Sequence, residues 1–280
     1  MKKSRFIQHY KDRQAAFLFY FNKTVEKLGM EDIHKLRVTI KKLRAIWSLM
    51  EITSHGRFNK KEHLALFSNL FNTAGDVRDA QVSLGLIRQN KALYLVPFSE
   101  YLTKVQDCGN EELIRSLNSF DQGKLMILNN NLLQIMQELS DEMLLRQSAG
   151  YVLAQIREVG ELQEFLPDNR KLHKIRIQLK AVHEILTIMH ELIAETGFYK
   201  SRKNIKSLNL WIGRWHDYTM LLSFLRDFAE KTEKGTRQPR YFLYFIKKIE
   251  HHQELWQVSI HGKLIQYLTA QQLKPIENLT

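Results

Sequence analysis

The sequence predicts an all-α protein made of two related helical halves. Three observations carry that prediction. Only 12 Gly and 4 Pro interrupt 280 residues, and no stretch alternates apolar and polar residues as a half-buried strand must. Apolar residues recur at three- and four-residue spacing along most of the chain, the period of a helix with one buried face. A basic amphipathic segment occurs twice, with the same residue types at the same offsets.

The first copy, Ile33 to Trp47, has two faces when wound as a helix. Leu36, Ile40, Leu43, Trp47 and Met50 share one arc and form a core stripe. His34, Arg37, Lys41 and Arg44 share another. Like charges three and four residues apart repel, so this rail weakens an isolated helix, and an anionic partner relieves it. In the second copy, at an offset of 139, His173, Arg176, Lys180 and His183 stand for His34, Arg37, Lys41 and Arg44. Ile175, Leu179 and Val182 stand for Leu36, Ile40 and Leu43. Further on, Gly75-Asp76-Val77-Arg78-Asp79 aligns with Gly213-Arg214-Trp215-His216-Asp217 at an offset of 138.

In chain order, residues 5–28 read as a helix ended by Gly29. Asp32 is the expected N-cap of the first basic helix, and Gly56 and Asn59 mark the next turn. Residues 60–73 read as a third helix. Gly75-Asp76 is expected to break it, with Gly75 as C-cap and Asp76 opening a fourth helix to about Asn90. Pro97 opens a fifth, expected to be interrupted at Cys108-Gly109-Asn110 and to resume to Leu139. Residues 141–165 follow, with Pro167 and Asp168 as a turn. The second basic helix spans 169–195 and ends at Gly197. Helices at 200–212 and 214–231 are expected either side of Gly213, and a last helix at 239–269 follows Gly235 and Pro239. The halves are then 5–139 and 140–269 of a single domain spanning 1–280, with 270–280 a loose tail. A duplication of this kind is expected to give two bundles related by a pseudo-two-fold axis, the basic rails turned toward a shared cleft.

Apolar residues at 44% indicate a folded core, and 280 residues suffice for a large one. The formal charge of +12 concerns partners, not fold. One cysteine, Cys108, excludes an intrachain disulfide and any cysteine-based metal site within one chain. The longest uninterrupted apolar run, Ala15 to Phe21, is too short to span a bilayer, and the basic N-terminus has no apolar signal core behind it. The expected setting is the cytoplasm.

Within these motifs Asp79 and Asp217 have two readings: favourable charges near a helix N-terminus, or partners that orient an Arg of the basic helix. Trp47, Trp211, Trp215 and Trp256 read as core. No His-Glu-x-x-His or P-loop pattern occurs, so a metal-dependent hydrolase and nucleotide phosphoryl transfer lack their signatures. The rail cations would also repel a divalent metal. Phosphorylation of a rail histidine is the remaining enzymatic alternative. Nucleic-acid binding is favoured by charge alone, without the base-reading or aromatic-interleaved patterns it commonly shows.

A His-x-x-Arg helix with further cations, a Gly-x-x-Arg-Asp segment some 40 residues on, and a second His-x-x-Arg helix resemble the CHAD domain, the conserved histidine α-helical domain. The first half carries the pattern in His34, Arg37, Lys41, Lys42, Arg44, Gly75, Arg78 and Asp79. The second keeps His173, Arg176, Lys180, Gly213 and Asp217, but has Ala181 after Lys180 and His183 in place of Arg. Gln81 stands where the family tends to have Asp. The resemblance implies two helical bundles around a basic central channel that binds inorganic polyphosphate without catalysis, a cofactor or a metal. On this resemblance the chain is expected to be a stand-alone CHAD protein, without the adjoining triphosphate-tunnel domain common in relatives. The implied binding residues are His34, Arg37, Lys41, Lys42, Arg44, Arg78, His173, Arg176, Lys180 and His183, with polyphosphate granules as a candidate location.

The chemistry of the rails fits that partner. Arg37 and Arg176 can fork onto phosphate oxygens, and Lys41 and Lys180 act as point charges. Their spacing repeats with the helical turn of about 5.4 Å. Lys61, Lys200, Arg202 and Lys203 are candidates to extend the track. With Lys and Arg charged throughout, the pH dependence of binding is expected to come from His34, His173 and His183.

Overall fold

The computed structural model describes residues 2–89, 93–164, 168–192, 197–233 and 240–267; the side chains at 93, 191–201 and 233 lie outside that description. Among the described residues all regular structure is helical. The elements are α1 (Lys3–Glu26), α2 (Met30–Thr53), α3 (Lys61–Arg88), a 3-10 turn (Leu93–Leu95), α4 (Val96–Asn118), α5 (Gln122–Glu138), α6 (Asp141–Gln163), α7 (Asn169–Leu192), α8 (Gly197–Glu233) and α9 (Arg240–Tyr267).

Polar side chains start several helices as local chemistry requires. The Asp121 carboxylate accepts from the Lys124 amide at 2.7 Å, and Ser140 Oγ accepts from the Met143 amide at 3.1 Å, opening α5 and α6. Asp168 accepts from the Arg170 amide at 2.7 Å at the start of α7. The turn after α2 uses positive φ at His55 and Gly56. Pro97 sits in the first turn of α4, where its missing N–H costs nothing.

Four expectations are corrected. Asp32 lies inside the first turn of α2, whose N-cap is Gly29; its charge faces the positive end of the helix without capping it. Gly75 and Asp76 lie within an unbroken α3, and Gly213 within an unbroken α8, so neither glycine is a C-cap and neither Asp79 nor Asp217 is near a helix N-terminus. Cys108-Gly109-Asn110 likewise continues α4; the break comes at Ser119–Asp121. Gly109 has a packing reason: a Cβ there would lie 3.1 Å from Val77 Cγ2, so its smallness lets α3 and α4 approach. Pro167, Gly235, Pro239 and the 270–280 tail lie outside the described residues.

The apolar stripe of α2 is core: Leu36, Ile40, Leu43, Trp47 and Met50 are all buried, as is Trp215. Trp211 and Trp256 are half-buried against that core and pack on each other. There are two hydrophobic clusters, and each draws on both halves of the sequence. The smaller joins Leu84, Ile87, Phe98 and Leu102 to Leu221, Leu225, Phe242 and Phe245. α2 packs on α3 and α7, and α8 packs on α7 and α3. These four helices therefore border one another in a ring, and the basic stripes of α2 and α7 lie on neighbouring helices. Among the described residues, no helix is long and apolar enough to cross a membrane.

Candidate functional site

The ring of α2, α3, α7 and α8 brings the two basic stripes together. Lys41 of α2 and Lys180 of α7 come close enough to influence each other's charge. Burial, with Lys180, Arg37 and Arg176 beside it, pulls the Lys41 ammonium down to about 6. Burial and the two arginines pull Lys180 down to about 8.

Arg37 is held on three sides. Its Nη1 donates to the Phe71 carbonyl of α3 at 2.6 Å. Its guanidinium lies 4.6 Å from the Phe71 ring centre. A Cβ at Gly75 would overlap its Nη1 and stand 3.0 Å from Cζ, so the glycine leaves the space in which the guanidinium lies. Phe71 also takes Arg44 at 3.8 Å and Lys41 at 5.8 Å. One aromatic ring thus gathers three cations of one helix stripe, each contact contributing about 0.5–2 kcal/mol depending on exposure.

The second stripe is held differently. The sequence offset of 138 places Asn209 at the position of Phe71, and Asn209 Nδ2 donates to the Leu179 carbonyl at 3.0 Å. Nothing lies within 4 Å of a Cβ built on Gly213. The buried Nε of Arg176 has no hydrogen-bond partner, and neither has the Nε of Arg44.

Carboxylates are near but not paired. Among the described residues, none of Arg37, Lys41, Arg44, Arg78, Arg176 and Lys180 makes an ion pair within 4.0 Å. The expected bidentate Asp–Arg pair is therefore absent. Asp79 instead feels Arg37, Arg176 and Lys41 together, and Asp217 feels Arg176, Lys180 and Arg78. Burial raises both carboxyls against those cations, so they balance the charge only in part.

The histidines divide. Burial, then Arg78, lowers His34. Burial, then Arg176 and Lys180, lowers His173. His173 stacks at 5.9 Å on His216, which burial and the same cations push down to about 3. His183, by contrast, has its Nδ1 3.9 Å from Glu184 of its own helix. Lys42 is half-buried, and among the described residues its side chain makes no hydrogen bond or ion pair. Arg78 is half-buried on α3 within the field of His34, Arg37 and Asp217. Lys61 and Lys203 are exposed, about 25 Å and about 20 Å along their helices from Arg78 and Asp217 at 1.5 Å per residue. Arg202 is half-buried, and the Lys200 side chain lies outside the description.

Sequence reading missed Phe71 and His216 as members of the cluster. His216 had a signal, since the 138-residue offset aligns it with Arg78. Phe71 had a weaker one: it lies one turn before Gly75, on the face that must meet α2. Among the described residues, no group of His, Cys, Asp and Glu is arranged to hold a metal ion.

The model of the CHAD domain matches residues 18–226. The chain belongs to the CHAD-domain family. Among solved structures, the CHAD domain from the plant Ricinus communis superposes with a TM-score of 0.74 over 94% of this chain and 91% of that one, at 16% identity. At that identity the likeness speaks for the shared CHAD fold alone. No curated protein matches the sequence.

Proposed function

We propose that this CHAD protein binds inorganic polyphosphate, without catalysis, between α2, α3, α7 and α8. The observation that carries the reading is the meeting of Lys41 and Lys180, flanked by Arg37 and Arg176, with no carboxylate in ion-pair contact. Concentrating cations in a half-buried site costs stability, and a polyanion threaded between the stripes offsets that cost. A single phosphate would satisfy one arginine fork; donors on two helices suit a chain of phosphates. On this reading α2–α3 and α7–α8 are duplicated units about a pseudo-two-fold axis, and their stripes line a central basic channel. Arg37, Lys41, Arg44, Arg78, Arg176, Lys180, His34 and His173 make the contacts, with Lys42 and His183 at its margin. A cytoplasmic location, with recruitment to polyphosphate granules, follows from the same reading.

The test is competition at matched charge. Labelled long-chain polyphosphate should be displaced by unlabelled polyphosphate and far less by single-stranded RNA. Counterion release from about six to eight contacts gives a log–log salt slope of roughly −4 to −6. Equal displacement by RNA would favour nucleic-acid binding, and a slope shallower than about −2 would rule out an extended track.

A further inference from the structure

α9 has a second apolar face that none of the described residues covers. Its buried side is Phe242, Phe245, Ile249, Ile260 and Leu264. On the far side, Tyr241, Tyr244, Lys248, His251, Leu255, Val258, Gly262 and Ile265 follow one another at alternating steps of three and four, and all are exposed. Tyr241 is 72% exposed, Tyr244 69%, Leu255 50% and Val258 73%. This is the a/d spacing of a coiled-coil seam. Tyr94 stacks on Tyr241 at 6.1 Å and widens the patch at its N-terminal end.

The pattern of this seam selects its occupant. Lys248 and His251 form a polar middle, with two aromatics before it and two aliphatics after it. A parallel copy in register would set Lys248 against Lys248, which like charge disfavours. An antiparallel copy displaced by one heptad would bury Lys248 against Val258 and His251 against Leu255, setting polar groups against apolar ones. The antiparallel register centred between Ile249 and Glu250 has neither fault. It sets Tyr241 against Val258 of the second copy, Tyr244 against Leu255, and Lys248 against His251, whose imidazole can accept from the ammonium. The flanking Lys247 then faces Glu254 of the second copy, twice by symmetry, and both residues are exposed.

We propose that two copies of this protein associate through antiparallel α9 helices, with Tyr241, Tyr244, Leu255 and Val258 as the buried contacts and Lys247–Glu254 as the flanking ion pairs. Four apolar side chains per copy make a small interface, so the dimer is concentration-dependent.

Sedimentation equilibrium of the full chain, without polyanion, tests this over a wide concentration range. A reversible monomer–dimer equilibrium is expected. Val258→Glu should abolish it with melting unchanged. Lys247→Glu and Glu254→Lys should each weaken it several-fold, and the double swap should restore it. A wild type that stays monomeric overturns the proposal. So does a dimer indifferent to Val258→Glu, or a double swap no better than its singles.

Discussion

The Arg37 guanidinium lies directly against Gly75, in the space a β-carbon would take. Gly75→Ala should therefore evict Arg37 from its place under Phe71, although the backbone there is ordinary helix. The substitution gains helix propensity, about 0.5–1 kcal/mol, and loses a charged hydrogen bond to the Phe71 carbonyl, about 1.5–3 kcal/mol. Melting should fall modestly, by about 1–2 kcal/mol of stability, while polyphosphate affinity falls by about tenfold or more, as for one charged hydrogen bond. Gly213→Ala meets nothing and should stabilise by about 0.5–1 kcal/mol with affinity unchanged. Binding titrations and thermal melts of the two variants give the comparison; equal effects on affinity would show that Gly75 does not position Arg37.

Phe71 gathers Arg37, Lys41 and Arg44 from one stripe. Phe71→Leu keeps an apolar side chain of similar reach but removes the π face. Polyphosphate affinity should drop severalfold to tenfold, since each lost cation–π contact is worth about 0.5–2 kcal/mol and the cations stay in the site. Phe71→Tyr keeps the face and should bind nearly as wild type. If Leu and Tyr bind alike, the ring only fills space.

The pH dependence now belongs chiefly to lysine. Lys41 is held at about 6 and Lys180 at about 8, so neither is uniformly charged near neutrality. A bound polyanion favours their charged forms and raises both values. Binding then takes up protons. Affinity is full below the free Lys41 value and declines as pH rises through the bound-state values. Tighter binding at pH 6 than at pH 8 is expected, and it should persist in a His34→Gln, His173→Gln, His183→Gln variant, contrary to the expectation from sequence. Lys41→Arg should flatten it, because arginine stays charged. A profile that flattens in the histidine variant but not in Lys41→Arg would return the effect to the histidines. The same depression acts on folding. An amine protonated more readily in the unfolded chain makes the empty protein gain stability as pH rises from about 6 toward the unfolded lysine value near ~10.4.

What the sequence made legible was the surface code of each helix. The apolar stripe Leu36–Ile40–Leu43–Trp47 is core, and the basic rails stand apart from it, because 3.6-residue periodicity fixes which side chains share a face. The start of α7 at residue 169, just after Asp168, was also readable, whereas Asp32, read as a cap, lies inside α2. The glycines were not. Gly75, Gly109 and Gly213 read as stops, since a glycine commonly ends a helix. Gly75 and Gly109 are instead close approaches, set by Arg37 and Val77 from other elements. No local window shows such a neighbour. Lys41 against Lys180 was beyond reach for the same reason: repeats reveal matching faces, not which of them meet.

The central claim is that Arg37 and Arg176, from the two basic helices, hold one polyanion together. Its most direct measurement is the affinity of Arg37→Ala/Arg176→Ala for long-chain polyphosphate, set beside its melting curve. Two charged hydrogen-bond donors at about 1.5–3 kcal/mol each predict a loss of roughly 10²- to 10⁴-fold with a melting point close to wild type. Leu43→Ala, in the buried stripe, should do the reverse, costing about 2–5 kcal/mol of stability and leaving the affinity of the folded protein intact. Wild-type affinity in the double arginine variant, or a variant that no longer folds, would contradict the account.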